Sequence, residues 1–250
     1  MSAHADATGG PATHIASGEV RRDVGVVIVA GGTGSRVGGT ELKQLRWIAG
    51  KPMLLHSLQT FQAMAEVAMV VCVLPRQYAG DPPPWIFQCD VDRLLVSVGG
   101  KSRAESVANG LEDLPPECRI VLVHDAARPL VSPEMIARVI TEARRGHGAI
   151  AALPVVDTLK RVAGDGRITA TVPRDDLWRA QTPQGFPREM IERAHGEARA
   201  AGTHAAATDD AALCESLGLA VHVVRGSERA LKVTDEPDFA RVEALLPLPE

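Results

Sequence analysis

The sequence predicts an α/β fold in which a mostly parallel central sheet is flanked by helices. Five short apolar segments are predicted to be strands, because their hydrophobicity is nearly continuous, as in strands buried on both faces. Three segments between them place apolar residues at three- and four-residue spacing behind a Pro or Ser, which is typical of helices. This alternation indicates an open sheet whose ligands bind at the carboxyl ends of its strands.

Taken in chain order, the elements form one continuous α/β pattern. The five predicted strands are 24–30, 67–74, 93–98, 119–124 and 148–155. The helices between them are predicted at 52–64, 102–114 and 132–145. Later segments predict helices at 187–202 and 208–218, a strand at 220–226 and a closing helix at 235–246. Since no internal repeat is visible, we expect residues 24–250 to form a single domain.

One segment departs from the pattern, since 157–172 is predicted to form two alternating strands around the turn Gly164-Asp165-Gly166. An isolated hairpin is only marginally stable in water, so this β-arm needs another surface to pack against. We therefore expect it to contact a second subunit.

The N-terminal residues 1–23 are rich in small residues and show no sustained hydrophobic period, which predicts a disordered leader. Neither a secretory signal pattern nor an apolar run of the ~20 residues that span a bilayer is present in the sequence. The formal net charge of -4 argues against a general nucleic-acid surface and against a basic membrane-binding face. We expect a soluble protein with neither partner.

The four cysteines lie far apart, and their spacing does not match a zinc site. They are Cys72, Cys89, Cys118 and Cys214. This usage is typical of a reduced compartment and predicts a cytoplasmic protein.

The first predicted strand ends in a glycine-rich turn, AGGTGSR, which begins at Ala30. Glycines let successive backbone N–H groups approach an anion. Neither standard phosphate loop fits, because Val37 replaces a glycine of the dinucleotide motif and Gly39-Thr40-Glu41 replaces the Gly-Lys-Ser/Thr of the P-loop. With Arg36 and Lys43 beside it, the turn suits a triphosphate, and a purely structural turn is the alternative.

A second strand end carries the motif GGKSRAESV. Gly99 and Gly100 permit a close approach of the backbone, and Ser102 or Ser106 is suited to bond a base or a ribose. An ordinary helix cap is the alternative for each serine.

A third strand end, in VHDAARP, places a carboxylate at the tip of a buried strand. Asp125 is placed to contact a ribose hydroxyl or a metal-bound phosphate, and an ion pair with Arg128 is the alternative. His124 is expected to be structural.

Further polar residues in apolar or small-residue settings supply cations and hydroxyls for a second anionic substrate. Each one alone is typical of a cap, a turn or a surface charge. They are Asp157, Thr158, Arg174, Thr182, Thr208, Asp209, Asp210 and Lys232.

In this order, these motifs make the chain resemble the 2-C-methyl-D-erythritol 4-phosphate cytidylyltransferase family of the non-mevalonate isoprenoid pathway. The resemblance covers about Val24 to Leu245 and rests on AGGTGSR with Lys43, GGKSRAESV, VHDAARP, DTLKR, QTPQGF, TDDA and LKVT. It implies a homodimeric, Rossmann-like nucleotidyltransferase with a projecting β-arm. It also implies transfer of CMP from CTP to the phosphate of methylerythritol phosphate, with Mg²⁺ and release of pyrophosphate.

The resemblance also implies residue roles. Arg36 and Lys43 match the stabilisers of the transition state, and Arg174 and Lys232 match residues that position the polyol phosphate. The residues that match the family's nucleotide contacts are Ala30, Gly31, Gly32, Gly100, Ser106, Asp125 and Ala126. The residues that match the family's acceptor site are Thr158, Thr182, Thr208 and Arg128. Because Thr158 and Arg174 flank the arm, the resemblance implies that they reach the partner subunit's site. No metal ligand is assigned.

Two alternative functions stay open at this point. A ribitol 5-phosphate cytidylyltransferase would share the fold, the CTP site and the reaction, and the sequence separates the two acceptors poorly. A non-catalytic CTP-binding sensor would be expected to lack one of the cations, yet both Arg36 and Lys43 are present.

Overall fold

The computed structural model describes residues 20–31 and 42–246 of the chain. Gly32, Arg36 and residues 1–19 of the predicted leader lie outside the described residues.

The described chain lies against the domain before the first strand begins. Asp23 is buried, and its carboxylate pairs with Arg144 at 2.7 Å. Its carbonyl oxygen accepts a hydrogen bond from the backbone N–H of Arg119 at 2.8 Å. Asp23 therefore packs against the domain, whereas the sequence analysis predicted that it belongs to a disordered leader.

The domain contains eleven strands and seven α-helices within the described residues. Numbered in chain order, the strands are β1 Val24–Val29, β2 Trp47–Ile48, β3 Lys51–Pro52, β4 Val67–Leu74, β5 Leu94–Val98, β6 Ile120–Asp125, β7 Gly148–Pro154, β8 Leu159–Val162, β9 Ile168–Val172, β10 Trp178–Pro187 and β11 Val221–Arg225. The helices are α1 Met53–Gln62, α2 Arg76–Ala79, α3 Arg103–Asp113, α4 Pro133–Ala143, α5 Arg188–Ala200, α6 Asp210–Ser216 and α7 Glu236–Leu245.

Seven strands form the central sheet in the order β11-β7-β10-β6-β1-β4-β5. β10 pairs antiparallel with both of its neighbours, whereas the other pairings in this sheet are parallel. The predicted α/β fold with a mostly parallel sheet is therefore confirmed. The predicted strands and helices are all found, with bounds that differ by one or two residues at most ends.

The core lies on both faces of the sheet, because successive side chains of a strand point to opposite sides. On β1, Val26 and Ile28 pack with α1 and α4, whereas Val27 packs with α3, α5 and α6. All three side chains are fully buried. The sheet is therefore covered on both faces, as its continuous hydrophobicity predicts.

Strand β10 is the main element that the sequence did not predict. Its central residues include the buried polar side chains of Gln181, Thr182 and Gln184, and these hide the apolar pattern of a strand. The Gln184 amide oxygen accepts hydrogen bonds from the backbone N–H groups of Asp210 and Ala211, both at 3.1 Å. Contacts with the distant helix α6 satisfy the buried polar groups of this strand, so its position does not depend on local strand propensity.

The predicted β-arm is confirmed, since β8 and β9 pair antiparallel with each other around a turn in which Gly166 has a φ of 84°. Val162, Ile168 and Trp178 on or near the arm are exposed.

Helix α7 is held against β2 and the segment before it by a buried apolar cluster and by an ion pair. The Arg46 guanidinium makes two hydrogen bonds to Glu236, and it stacks over the Phe239 ring at 4.1 Å. An Asp235 and Asp238 capping box begins α7. Among the described residues, no helix is both long enough and apolar enough to cross a membrane.

Candidate active site

A cavity of about 500 Å³ opens at the carboxyl ends of β1, β5 and β6. Its walls come from the residues that follow these strands and from two lysines of other segments. They include Val29 to Gly31, Gly100 to Arg103, Ser106, Asp125 to Ala127, Lys43 and Lys232. The position agrees with the binding crevice expected for an open α/β sheet.

Gly31 lies where the first and second strand ends approach each other, and Gly100 lies where the second strand end leads into α3. A Cβ atom on Gly31 would lie 3.2 Å from Ser106 Oγ, and one on Gly100 would lie 2.3 Å from Glu105 Cγ. Neither position has room for a side chain without a shift of its neighbour. The close approach of these glycines to a ligand stays a prediction.

The two serines of the second strand end organise the loop that precedes α3. Ser102 caps the helix, since its hydroxyl accepts from the Glu105 N–H at 3.1 Å. Ser106 donates to the Ser102 carbonyl at 2.9 Å and accepts from the Gly100 N–H at 3.0 Å. The cap alternative is thus correct for Ser102, and the Ser106 hydroxyl fixes the loop beside the cavity.

Asp125, at the tip of β6, holds two cations. Its Oδ1 lies 3.1 Å from Arg103 Nε, and its Oδ2 lies 2.7 Å from Lys232 Nζ. Burial alone would raise the pKa of Asp125, but the charges of Arg103 and Lys232 lower it well below its usual range. The alternative of an Asp125 and Arg128 ion pair is wrong, because Arg128 Nη1 instead donates to the Ala230 carbonyl at 2.7 Å.

Arg103 continues this network away from the cavity. Its Nη1 lies 2.8 Å from Oδ2 of Asp210, which is fully buried. The other Asp210 oxygen lies 3.1 Å from His195 Nε2, and His195 Nδ1 lies 2.8 Å from His204 Nε2. Burial would raise the pKa of Asp210, but Arg103 and His195 lower it. We call the series Lys232, Asp125, Arg103, Asp210 and His195 the ionic chain.

One donor of the ionic chain is left over. Arg103 Nη2 is buried and makes no hydrogen bond to the part of the chain that the structure describes. A buried donor without a partner is unfavourable by about 1–3 kcal/mol, and the same residue lines the cavity.

Lys43 enters the cavity wall from the short helical turn Lys43–Leu45. Its Nζ donates to the Val233 carbonyl at 2.7 Å, next to Lys232 in the motif LKVT. Gln44 is hydrogen-bonded to the Ala30 carbonyl, which fixes this turn against the first strand end.

Thr182 lies behind the cavity rather than in its wall. Its hydroxyl accepts from the Asp125 N–H at 3.1 Å and lies 3.0 Å from His124 Nδ1. His124 is fully buried, and burial lowers its pKa to about 4. The structural role expected for His124 is confirmed, since its other nitrogen lies 3.1 Å from the Arg128 carbonyl.

The arm residues and Thr208 lie apart from the cavity wall. Thr158, Arg174 and Thr208 are exposed, and the Arg174 guanidinium is hydrogen-bonded to the Val156 carbonyl. The structure thus brings together the nucleotide residues Ala30, Gly31, Gly100, Ser106, Asp125 and Ala126 with Lys43 and Lys232. Gly32 and Arg36 lie outside the described residues.

The sequence reasoning missed Arg103 in the cavity wall, and it named Asp210 only as a polar residue without predicting its pairing with Arg103. A signal for Arg103 was present, since a cation in the first turn of a helix opposes the helix dipole and needs another reason to be there. Asp210 gave a weaker signal, because the adjacent Asp209 caps α6 and accounts for an acidic pair at that position.

The cavity fits a magnesium ion that arrives with phosphates rather than one held by the protein alone. Among the described residues of its wall, Asp125 is the only carboxylate, and both of its oxygens already contact cations. Mg²⁺ retains waters and takes phosphate oxygens together with one or two carboxylates. Asp125 is the residue here that could contribute to such a set.

Comparisons with known proteins identify the family. A sequence model described as 2-C-methyl-D-erythritol 4-phosphate cytidylyltransferase matches residues 24–247. A protein of that name from Ralstonia nicotianae is 44% identical over 233 residues, which cover 88% of this chain and 90% of the relative. One from Streptomyces coelicolor is 43% identical over 233 residues, which cover 88% of this chain and 83% of the relative.

The fold agrees with this match. A crystal structure of 2-C-methyl-D-erythritol 4-phosphate cytidylyltransferase from Thermus thermophilus superposes with a TM-score of 0.73 at 34% identity. The likeness covers 89% of this chain and 98% of that one. The chain therefore belongs to the 2-C-methyl-D-erythritol 4-phosphate cytidylyltransferase family.

Proposed function

We propose that this enzyme transfers CMP from CTP to 2-C-methyl-D-erythritol 4-phosphate, in the non-mevalonate route to isoprenoid precursors. The products are 4-diphosphocytidyl-2-C-methyl-D-erythritol and pyrophosphate. The observation that carries the proposal is the cavity of a member of this family, in which Lys43 and Lys232 face two glycine-lined strand ends. A ribitol 5-phosphate cytidylyltransferase is not favoured, because the matching family model and relatives carry the methylerythritol name.

The reaction we propose needs no general base and no covalent intermediate. The attacking phosphate oxygen is already an anion, so the difficulty lies in bringing two polyanions together and stabilising charge at the α-phosphorus. Lys43 and Arg36 are proposed to supply positive charge at the triphosphate. Lys232 is proposed to hold the acceptor phosphate, and its exposed ammonium beside Asp125 supports this role.

The proposed nucleotide contacts use donors and acceptors that the fold already fixes. Arg103 Nη2 makes no hydrogen bond within the described chain, so its N–H suits an oxygen of the nucleotide. Asp125 has further lone pairs despite its two cations, so a ribose hydroxyl is a suitable additional donor. Mg²⁺ is proposed to enter with CTP and to neutralise phosphate charge when bound.

A homodimer is proposed, in which the arm of one subunit completes the site of the other. Thr158 and Arg174 lie next to the arm and do not line the cavity of their own chain. Exposed apolar side chains at Val162, Ile168 and Trp178 supply a surface that association would bury. The cytoplasmic location stays a prediction of the sequence.

The proposed reaction predicts that the purified chain releases pyrophosphate from CTP, Mg²⁺ and methylerythritol phosphate. Turnover is expected to depend on all three components and to fall sharply when ATP, GTP or UTP replaces CTP. A coupled pyrophosphate assay with ribitol 5-phosphate as the parallel acceptor measures this. Turnover of ribitol phosphate alone would establish the alternative acceptor, and no turnover with either would favour a CTP-binding sensor.

The proposed roles of the two cations predict that Lys43→Ala and Arg36→Ala each lower kcat by about 10²-fold or more, because each removes a positive charge that is proposed to stabilise the transition state. Steady-state kinetics measures this, with circular dichroism as the check on folding. Lys51→Ala is the matched control, since its exposed ammonium bonds to Gln59 at 2.9 Å and does not line the cavity. Turnover near the wild-type rate in either site variant contradicts these roles.

The ionic chain predicts that Asp210→Asn lowers kcat/KM for CTP by at least about tenfold, or about 1.4 kcal/mol. The change keeps the shape of the side chain but removes the charge that holds Arg103 in place. Glu112→Gln is the control, because it breaks an exposed pair with Arg199 and should change little. Unchanged kinetics in Asp210→Asn would show that the ionic chain contributes to stability and not to catalysis.

The proposed dimer predicts that two inactive variants restore activity when their subunits are mixed. In a mixed dimer of Lys43→Ala and Arg174→Ala, one site keeps Lys43 from its own chain and Arg174 from its partner. Equal amounts that exchange freely should recover about one quarter of the wild-type rate, because half of the dimers are mixed and each has one intact site. If each arm serves its own chain, the mixture stays as inactive as its components.

A further inference from the structure

Three potential metal ligands meet at the sheet edge formed by β11, on elements that the proposed reaction does not use. Glu142 lies near the end of α4, His147 lies in the turn before β7, and His222 lies on β11. One ligand atom of each residue lies within 4.8 Å of the other two.

The two imidazoles converge on a single carboxylate oxygen. Glu142 Oε1 lies 2.7 Å from His222 Nδ1 and 3.3 Å from His147 Nδ1. The two rings lie against each other, with centroids 4.3 Å apart and planes inclined by 31°. The three potential ligand atoms are therefore gathered in a space small enough for one ion to reach them all.

The carboxylate is held in place by a partner outside the three ligands. Glu142 has only 9% of its surface exposed, and its Oε2 lies 2.6 Å from Arg145 Nη1. This contact occupies one oxygen and leaves Oε1 directed at the histidines. Partners of this kind orient the ligands of metal sites and fix which lone pair points to the ion.

We propose that Glu142, His147 and His222 form a binding site for a divalent transition-metal ion, with Zn²⁺ as the best fit. Two imidazoles and a carboxylate are a ligand set that zinc takes, with water in the fourth position. Tetrahedral zinc with bonds of about 2.0–2.2 Å separates its ligand atoms by about 3.4 Å. The distance from Glu142 Oε1 to His147 Nδ1 already has this length, and the distance from Glu142 Oε1 to Nδ1 of half-exposed His222 is about 0.7 Å shorter.

The bound ion would join three elements that meet at this edge. His222 pairs in register with Ala149 of β7, and β11 is the end strand of the described sheet. An ion shared by α4, the turn and β11 therefore ties the edge strand to the helix that covers it. Because the three ligands come together only in the folded chain, the ion would bind that state more tightly and stabilise it by mass action.

The test is zinc binding by the full-length, tag-free chain at about pH 8, where histidines are neutral. Competition against a chromophoric chelator is expected to give one Zn²⁺ per chain, and a thermal melt is expected to shift upward with Zn²⁺. His222→Gln and Glu142→Gln are each expected to weaken binding by at least about tenfold and to abolish the shift. His222→Gln is the safer variant, because that side chain is half exposed.

Controls separate this site from the other ligands of the chain. His4 and His14 lie outside the described residues, so a chain with both changed to Gln tests the N-terminal segment, and His56→Gln tests a remote histidine. The cysteines are poor competitors, since burial raises the pKa of Cys89 and Cys118 to about 11. The proposal is overturned if the wild-type chain binds no Zn²⁺, or if His222→Gln and Glu142→Gln bind it as tightly as the wild type.

Discussion

The interaction on which the rest of the site depends is the buried charge of Asp125. The strand β6 brings this carboxylate to the edge of the sheet, where water is largely excluded and an unpaired charge would be strongly unfavourable. Arg103 and Lys232 each pair with one of its oxygens, so α3 and the segment before α7 both meet the tip of β6. The shape of the cavity follows from this pairing.

The ionic chain is better explained by the fixed geometry that it gives the site than by a contribution to folding stability. Replacing buried ion pairs by apolar residues is often neutral or favourable for folding, so Arg103 and Asp210 are weak arguments for stability alone. What they do provide is a guanidinium whose direction is set before any ligand arrives. Preorganised cations of this kind need no rearrangement as charge develops in a transition state, which is the demand that phosphoryl chemistry makes of a protein.

The sequence predicts those parts of the molecule whose structure depends on residues that are close together in the sequence. Strand β1 could be predicted because each of its residues faces a covered side of the sheet and the segment is therefore apolar throughout. Gly31, Gly100 and Asp125 could be predicted because they lie at or just after the ends of strands. Strand β10 is not visible, since its polar residues are satisfied by α6 and by the loop at Ser227. The Arg103 and Asp210 pair spans 107 residues, and a contact of that kind leaves no period to detect.

Within one chain, the cavity and the arm are separate objects, and this separation bears on how the proposed dimer would work. The cavity is fixed by buried charge and by glycine contacts, whereas β8 and β9, among the described strands, pair only with each other and expose apolar side chains. A two-stranded unit of this kind gains its order from whatever covers it. If Arg174 reaches a neighbouring cavity, association and acceptor binding use the same surface. The acceptor side of the site would then combine Lys232 of one chain with Arg174 of its partner, while the described nucleotide residues come from one chain.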